Sequence, residues 1–437
     1  MLQFRSLAGL LVAGILIVVT GLGIGNLAHA DGGTIPPGTK ITTGNWRQFQ
    51  QFMPDGMVAL FEGGHSWSMP QNIEIDVGPT IIHPLPPGYV AATEKYGSQT
   101  QVVKLPDGGL TVSNYRAGVP FPSPGGAYKG WEILTNLWYR YTPHLTASTP
   151  SNPVIDCSQN AYGNVSCEKE VFIDRWLSHV TDPGEPMTNP KADNRFETRF
   201  GMVIEPEQDK YSTSLTIYYD DPARLPSVYV FSPAERRVTQ LSAAARCQTA
   251  RGSDMTEDDF RYGFAGTISN FSANLVGQRK ILALLDYKTP LGAFPQNYFM
   301  PLGFPMPSWG NWELRNVYVI DVRPIASRAS GYCYGKRIMY VDQQFYAPLW
   351  EDLYNADMQL WKVALMSPNA MMVPGIGVVN NAGSFAEDFW DLINHHASYD
   401  TSFDDQGHTV LVNQQVPAEY NDLEKYSSPS GLNEILR

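Results

Sequence analysis

Two groups of polar residues in this 437-residue chain are of types that could do chemistry. His395-His396 stands near Asp391 and Asp400, an imidazole and carboxylate set of the kind that holds a divalent metal or moves a proton. Adjacent residues on a helix point about a hundred degrees apart, so the two rings would not converge on one ion. The preferred reading is two solvated histidines near a helix C-terminus, where the dipole favours cations. Asp258-Asp259 invites a general acid/base role, but carboxylates at a helix N-terminus are stabilised there without chemistry, so a polar cap is preferred. The sequence contains no Gly-x-Ser-x-Gly elbow, His-Glu-x-x-His motif, phosphate loop or dinucleotide fingerprint. It reads as a chain that is not an enzyme and carries no cofactor or metal.

Cys157, Cys167, Cys247 and Cys333 are the remaining reactive groups. An even number in an exported chain points to disulfides, with three pairings possible. Cys157 with Cys167 is favoured because the loop between them, SQNAYGNVS, is polar and turn-rich; Cys247 is then left for Cys333. A zinc site is the alternative, but no Cys-x-x-Cys pair or histidine at ligand spacing supports it.

Aromatic residues are in excess, at 23 Tyr, 19 Phe and 10 Trp. Core packing accounts for most of them. The remainder suits either an apolar cavity for acyl chains or sterol-like molecules, or stacking platforms for sugar rings. The run WELRNVYVIDV alternates from Trp312 to Val322 and reads as the longest strand. Trp312, Leu314, Tyr318, Ile320 and Val322 share one face with only Asn316 polar, while Glu313, Arg315 and Asp321 point the other way. A sugar site needs carboxylates and amides among its rings, so a hydrophobic ligand is preferred. The expected cavity lining is that face together with Tyr229 and Phe231. A one-residue register shift would exchange the set for Glu313, Arg315, Val317 and Val319. Burial of a sixteen-carbon tail, at about 0.8 kcal/mol per methylene, contributes on the order of ten kcal/mol before ordering costs. The alternative function is a carbohydrate-binding or structural envelope protein with no lipid cargo.

The elements that must position such a face are mostly strands. From Ser214 to Leu241 the run SLTIYYDDPARLPSVYVFSPAERRVTQL holds three short alternating segments separated by two turns, which predicts an antiparallel meander. A second meander is expected over Lys336–Asp342, Phe345–Leu353 and Met358–Leu365. Pro106-Asp107-Gly108-Gly109 predicts a hairpin between Val102–Leu105 and Leu110–Tyr115. Helical spacing is read at Asn45–Phe61 with a break at Pro54, at Trp131, Leu134, Trp138 and Tyr141, and over Phe264–Leu275. Ser384 and Glu387 form a capping box for a helix through His396, with Phe385, Phe389, Leu392 and Ile393 as its buried stripe. The passage Asp174–Arg195 reads as a long surface excursion, and the tail from Gln414 as a polar cover.

Three segments then point to a family. Ala117-Gly118-Val119-Pro120-Phe121-Pro122, followed by Lys129, Trp131, Asn136, Leu137, Tyr139 and Arg140, is one. The others are Tyr229 to Val238, YVFSPAERRV, and Asp258-Asp259-Phe260 with Gly263 to Gly266. In this order they resemble a proteobacterial family of unknown function described as outer-membrane lipoprotein-sorting-like. The resemblance implies a mainly β (α+β) fold: a LolA/LolB-like curved antiparallel half-barrel with helices across its concave face and an apolar cavity between. It also implies a periplasmic carrier of a lipid or other hydrophobic molecule, with an outer-membrane protein and a resistance-nodulation-division exporter as transport partners. The expected organisation is a signal peptide over 1–30, an N-terminal helix and hairpin region over 31–125 packing on the core, and the half-barrel with a C-terminal helix over 126–437.

The export expectation rests on Arg5, the apolar run Leu7–Gly25 and Ala28-His29-Ala30 before Asp31, a leader cleaved after Ala30. An uncleaved anchor is the alternative, since the run is long enough to span. The net charge of −12 argues against nucleic acid as a partner, and loss of Arg5 with the leader makes the chain more acidic still.

Overall fold

Strand follows strand through mostly short turns from Val154 to Leu241 and again from Lys336 to Thr401, and the computed structural model gathers them into one large antiparallel sheet. Described residues are 33–64, 68–242, 246–249, 252–286, 295–401 and 410–435, without the side chains of 381–385. The leader expected over 1–30 lies outside them. Thr34–Arg437 forms one compact unit.

The N-terminal part carries β1 (Lys40–Ile41), a 3-10 helix (Trp46–Phe52), α1 (Asp55–Glu62), β2 (Ile75–Asp76), α2 (Pro87–Tyr96), the hairpin β3 (Gln101–Lys104) and β4 (Leu110–Ser113), and α3 (Lys129–Trp138). There follow β5 (Leu145–Ala147), β6 (Val154–Gln159), β7 (Val165–Trp176), β8 (Arg195–Glu205), β9 (Thr213–Tyr219), β10 (Ser227–Ser232) and β11 (Arg237–Leu241). After them come β12 (Phe271–Leu285), a small hairpin of β13 (Tyr298–Phe299) and β14 (Phe304–Pro305), and β15 (Asn311–Pro324). The chain ends with β16 (Lys336–Asp342), β17 (Pro348–Tyr354), β18 (Leu360–Val373), β19 (Gly377–Asp391), β20 (His396–Thr401), β21 (Leu411–Val412) and α4 (Leu423–Tyr426). The sheet order is β11-β10-β9-β8-β7-β6-β20-β19-β18-β17-β16-β15-β12, with β5 paired to β7 and β21 to β5. It does not close: β11 and β12 are its edges.

Curvature follows from what α3 touches. Gly130 at its start is so close to β12 that a Cβ there would lie 2.5 Å from the Ala273 carbonyl oxygen. Trp138 at its end packs edge-on against Tyr218 of β9, with ring centroids 5.7 Å apart. A ten-residue helix is about 15 Å long, whereas β9 and β12 would be separated by about 48 Å in a flat sheet. The sheet therefore wraps around α3. The expectation of a mainly β, strongly curved antiparallel sheet with a helix across one face holds.

Cross-strand partners share a face, so registers separate the two sides. On the α3 face, Ile320 of β15 stands opposite Met339 of β16, and Met339 opposite Glu351 of β17. Tyr340, Trp350 and Asp352 point to the other side. There α1 docks, with the Gly56 N–H donating to Asp352 Oδ1 at 2.9 Å, and Trp350 and Trp390 stack with Phe304 and Trp312. On that same side, Leu215, Ile217 and Phe231 pack against Val416, Tyr426 and Leu432 of the C-terminal segment.

Both meanders, the β3–β4 hairpin, the break at Pro54 and the α3 helix form as expected. Three expectations fail. Ser384 to His396 is no helix: Gly377–Asp391 and His396–Thr401 are the paired strands β19 and β20, with Leu392, Ile393 and His395 in their turn. Phe389 and Trp390 point to opposite faces, and both faces are covered, so the apolar run shows none of the alternation that marks a strand. Ser384 and Phe385 side chains are outside the described set. Phe264–Leu275 makes one 3-10 turn, Ile268–Asn270, and then enters β12. Finally, β15 is buried on both sides and is exceeded by β12 and β19. Its charged face is covered by residues 79–83: Arg315 pairs with Glu313 at 3.1 Å and Asp342 at 2.8 Å, and donates to the Ile81 carbonyl.

Candidate functional site

Alternation along β7 puts Glu168, Glu170, Phe172 and Asp174 on the α3 face, and registers carry that face on to Arg199 and Gly201 of β8 and to Ser214 and Thr216 of β9. Together with Val154 and Asp156 of β6, Tyr218, Val230, Leu241 and Asp400 of β20, they wall a cavity of about 310 Å³. Gln248, Thr249, Glu257 and Phe260 roof it. The volume is at the lower end of small-ligand sites.

The roof belongs to residues 246–249 and 252–270, braced by one charge pair within it and tied to the sheet by two more. Arg246 Nε donates to Asp258 Oδ1 at 2.6 Å, Arg337 lies 2.7 Å from Asp259 Oδ1, and Arg261 Nε donates to Glu197 Oε2 at 2.7 Å. Asp258 and Asp259 are thus buried anchors rather than a helix cap, because no α-helix follows them and each meets a guanidinium, Arg246 within the roof for Asp258 and Arg337 of β16 for Asp259. Breaking one partner of such a buried pair strands a charge and is strongly destabilising. The roof is consequently a fixed part of the fold.

One polar band crosses the cavity floor. Glu387, Asp400, Asp156 and Glu168 are directly opposite one another on β19, β20, β6 and β7. Like charges in opposed cross-strand positions are destabilising, and burial adds to that cost. Burial, then the neighbouring Asp156 and Glu387, raise the Asp400 carboxyl well above its ordinary range. Burial raises Glu387 to about 8, with Glu351 adding to the rise and Arg199 and Arg140 opposing it. Glu387 therefore retains its proton near neutrality. Glu387 Oε1 is buried with no hydrogen-bond partner among the described residues, whereas the Asp400 carboxyl is hydrogen-bonded to Asp156. Farther along, Asp174 is fully engaged: Arg199 Nε donates to both its oxygens at 3.0 Å and the Tyr262 hydroxyl donates to Oδ2 at 2.8 Å.

The structure places the residues singled out from sequence elsewhere. Trp312 is fully buried in the Phe304, Trp350 and Trp390 stack, with Leu314 packed against the same core. Ile320 and Val322 pack with the α3 helix, and Tyr318 stacks on Tyr346. Tyr229 and Phe231 face the C-terminal segment, one position out of phase with the cavity-lining Val230. None of the seven lines the cavity. His395 and His396 sit at the β19–β20 turn, and no metal-holding group of His, Cys, Asp or Glu occurs among the described residues. Both favoured cysteine pairs form. Cys157–Cys167 joins directly opposed residues of β6 and β7. Cys247–Cys333 ties the segment leaving edge strand β11 to the turn between β15 and β16, beside the opposite edge.

The residues missed from the sequence had one legible signal, the period-2 acids of EKEVFID in β7. Their meaning required the register with Asp156 and Asp400, which no local pattern carries.

A search of curated proteins found no sequence match. Among solved structures, a domain from Vibrio parahaemolyticus provisionally named for outer membrane lipoprotein sorting is similar at TM-score 0.45 and 13% identity, covering 68% of this chain and 97% of that one. A DUF1329 family protein from Desulfovibrio piger aligns at TM-score 0.45 and 12% identity, over 67% and 95% of the two chains. A LolA superfamily protein from Nitrosomonas europaea aligns at TM-score 0.36 and 12% identity, over 64% and 90%. With residues 40–432 matched by its family description, the chain belongs to the family "Protein of unknown function (DUF1329)".

Proposed function

We propose that this protein is an exported binding protein that holds a hydrophobic small molecule or lipid in the cavity between β6–β11, β20 and the roof. One observation carries the reading: a volume of about 310 Å³ is left open on a sheet face whose other half is filled by α3 and the protein's own side chains. Val154, Phe172, Val230, Leu241 and Phe260 supply apolar wall. Apolar contact of this kind contributes about 25 cal/mol per Å² removed from water. The buried charge pairs are engaged with one another, which leaves binding rather than bond-making as the work of the site.

Export to the periplasm with cleavage after Ala30 belongs to the same proposal. Two disulfides suit an oxidising compartment, and among the described residues no helix is long and apolar enough to cross a membrane. Hand-over to an outer-membrane protein or from a resistance-nodulation-division exporter is the transport setting we propose for it. Native mass spectrometry with lipid extraction, on protein purified from its own compartment, tests the reading. A co-purifying hydrophobic ligand in one-to-one ratio is expected; protein that is ligand-free and takes up none from a lipid extract would overturn it.

A further inference from the structure

We infer that a second cavity, separate from the one described above, binds a small organic acid, a carboxylate carried on a compact apolar body. This site goes beyond the binding-protein reading and does not depend on it. The cavity has a volume of about 280 Å³ and lies beside the Cys247–Cys333 bridge, where the roof meets the turn between β15 and β16. Neighbouring roof residues divide the two spaces, since Glu257 lines the first cavity and Asp258 the second. Its outer end is formed by the exposed residues Ser330 and Gly331 with the half-exposed Arg328, its inner end by Thr267 and Phe271, each 3% exposed.

Three observations set the chemistry of the ligand. First, the charge of the wall is positive. Arg246 and Arg328 line it against one carboxylate, Asp258, which Arg246 already holds through both Nε and Nη2. Arg328 meets Asp107 at 3.4 Å only in a solvent-exposed pair, the kind that is readily exchanged for another anion. Second, donors remain unspent. Arg246 Nη1 and Thr267 Oγ1 are buried with no hydrogen-bond partner among the described residues. A buried donor left unmade is costly, so a group that brings acceptor oxygens gains there, and an ionised carboxylate is acceptor-only. Third, Leu225, Phe271 and Tyr332 give the same cavity an apolar wall, which a bare inorganic ion would leave unused. Phe271 and Tyr332 meet edge to face with ring centroids 5.3 Å apart, and an aromatic body on the ligand continues that packing.

The test is calorimetric titration of the full exported protein at pH 7 with 3-phenylpropionate, its uncharged amide and inorganic phosphate. The carboxylate is expected to bind one-to-one, at least tenfold more tightly than the amide or phosphate, and without displacing a fluorescent hydrophobic probe from the first cavity. Thr267→Val and Arg328→Gln should each weaken the carboxylate at least threefold. Without ligand, Thr267→Val should melt no lower than the wild type, because it removes a buried hydroxyl that has no partner. Equal affinity for acid and amide overturns the inference, and so does an affinity that either substitution leaves unchanged. Phosphate binding as tight as the carboxylate overturns the organic-acid assignment. Displacement of the probe would put the acid in the first cavity and overturn the second site. Absence of carboxylate binding while the probe still binds overturns this inference and leaves the binding-protein reading standing.

Discussion

One face of one sheet is finished in two ways. Over β12 and β15, α3 presses so close that glycine is needed at position 130, and Trp131, Leu134 and Leu137 fill the space against Ile320, Val322 and Phe271. Over β6 to β11 and β20 the cover is a loop, and a cavity remains beneath it. The sequence of the filled half is apolar at nearly every inward position; that of the open half mixes Phe172 and Val154 with Asp156, Glu170 and Asp400. A protein interior packs as densely as an organic crystal unless its side chains prevent it. The difference teaches that the opening is written into the strands, where carboxylates take positions that a packed core would give to leucine or valine.

The largest effects should come from what holds the two halves around α3. Cys247–Cys333 ties the neighbourhoods of the two sheet edges across 86 residues. Replacing both cysteines with serine should cost on the order of 4 kcal/mol, against about 3 for Cys157–Cys167, which only reinforces a hairpin already in register. Denaturant unfolding of each double variant measures the pair. Equal losses would remove the special place given to the seam between the edges.

On the opposite, α1-covered face of the same sheet, Trp312→Ala should cost about 3–5 kcal/mol through the void left in the aromatic stack. Probe affinity measured well below the melting temperature should not change. Loss of binding with little loss of stability would instead return the ligand to the face expected from sequence.

In the open half and beneath its roof, Glu387 and Glu351 are raised to about 8 with burial as the leading cause, and Asp254 to about 6. A carboxyl whose folded pKa exceeds its unfolded value near 4 binds more protons folded than unfolded between the two. Its contribution is complete below about pH 4 and is lost as pH rises toward 8. Stability should therefore fall by a few kcal/mol from pH 5 to pH 8. Glu387→Gln should flatten that slope. A profile that rises over this window would show the band to be ionised and paired.

Much of the fold was legible in the sequence where strands have one covered face and tight turns, as at Thr213–Leu241 and Lys336–Leu365. Legibility failed at β19, because a strand covered on both sides shows no alternation and its phenylalanines fall by chance at helical spacing. The lining was missed for a related reason. Apolarity marked Trp312–Val322 as unusual, but the most apolar face of a curved sheet is the one its own helices fill. The cavity is instead found where the inward face turns acidic, and only long-range register brings Asp156, Asp400 and Glu387 side by side.

Gly201 offers the most direct test of whether the open half is a binding site. It lines the cavity, and a Cβ added there would meet nothing nearer than Ser214 Oγ at 3.4 Å and Glu170 Oε2 at 3.5 Å. A leucine would project into the open volume, and replacing a glycine inside a strand adds no backbone strain. Titration of a fluorescent hydrophobic probe into wild type and Gly201→Leu, with melting temperatures measured alongside, should give saturable binding to the wild type, at least tenfold weaker binding to the variant, and a melting temperature that does not fall. Equal binding by both proteins, or none by the wild type, would contradict the claim that this cavity holds a ligand.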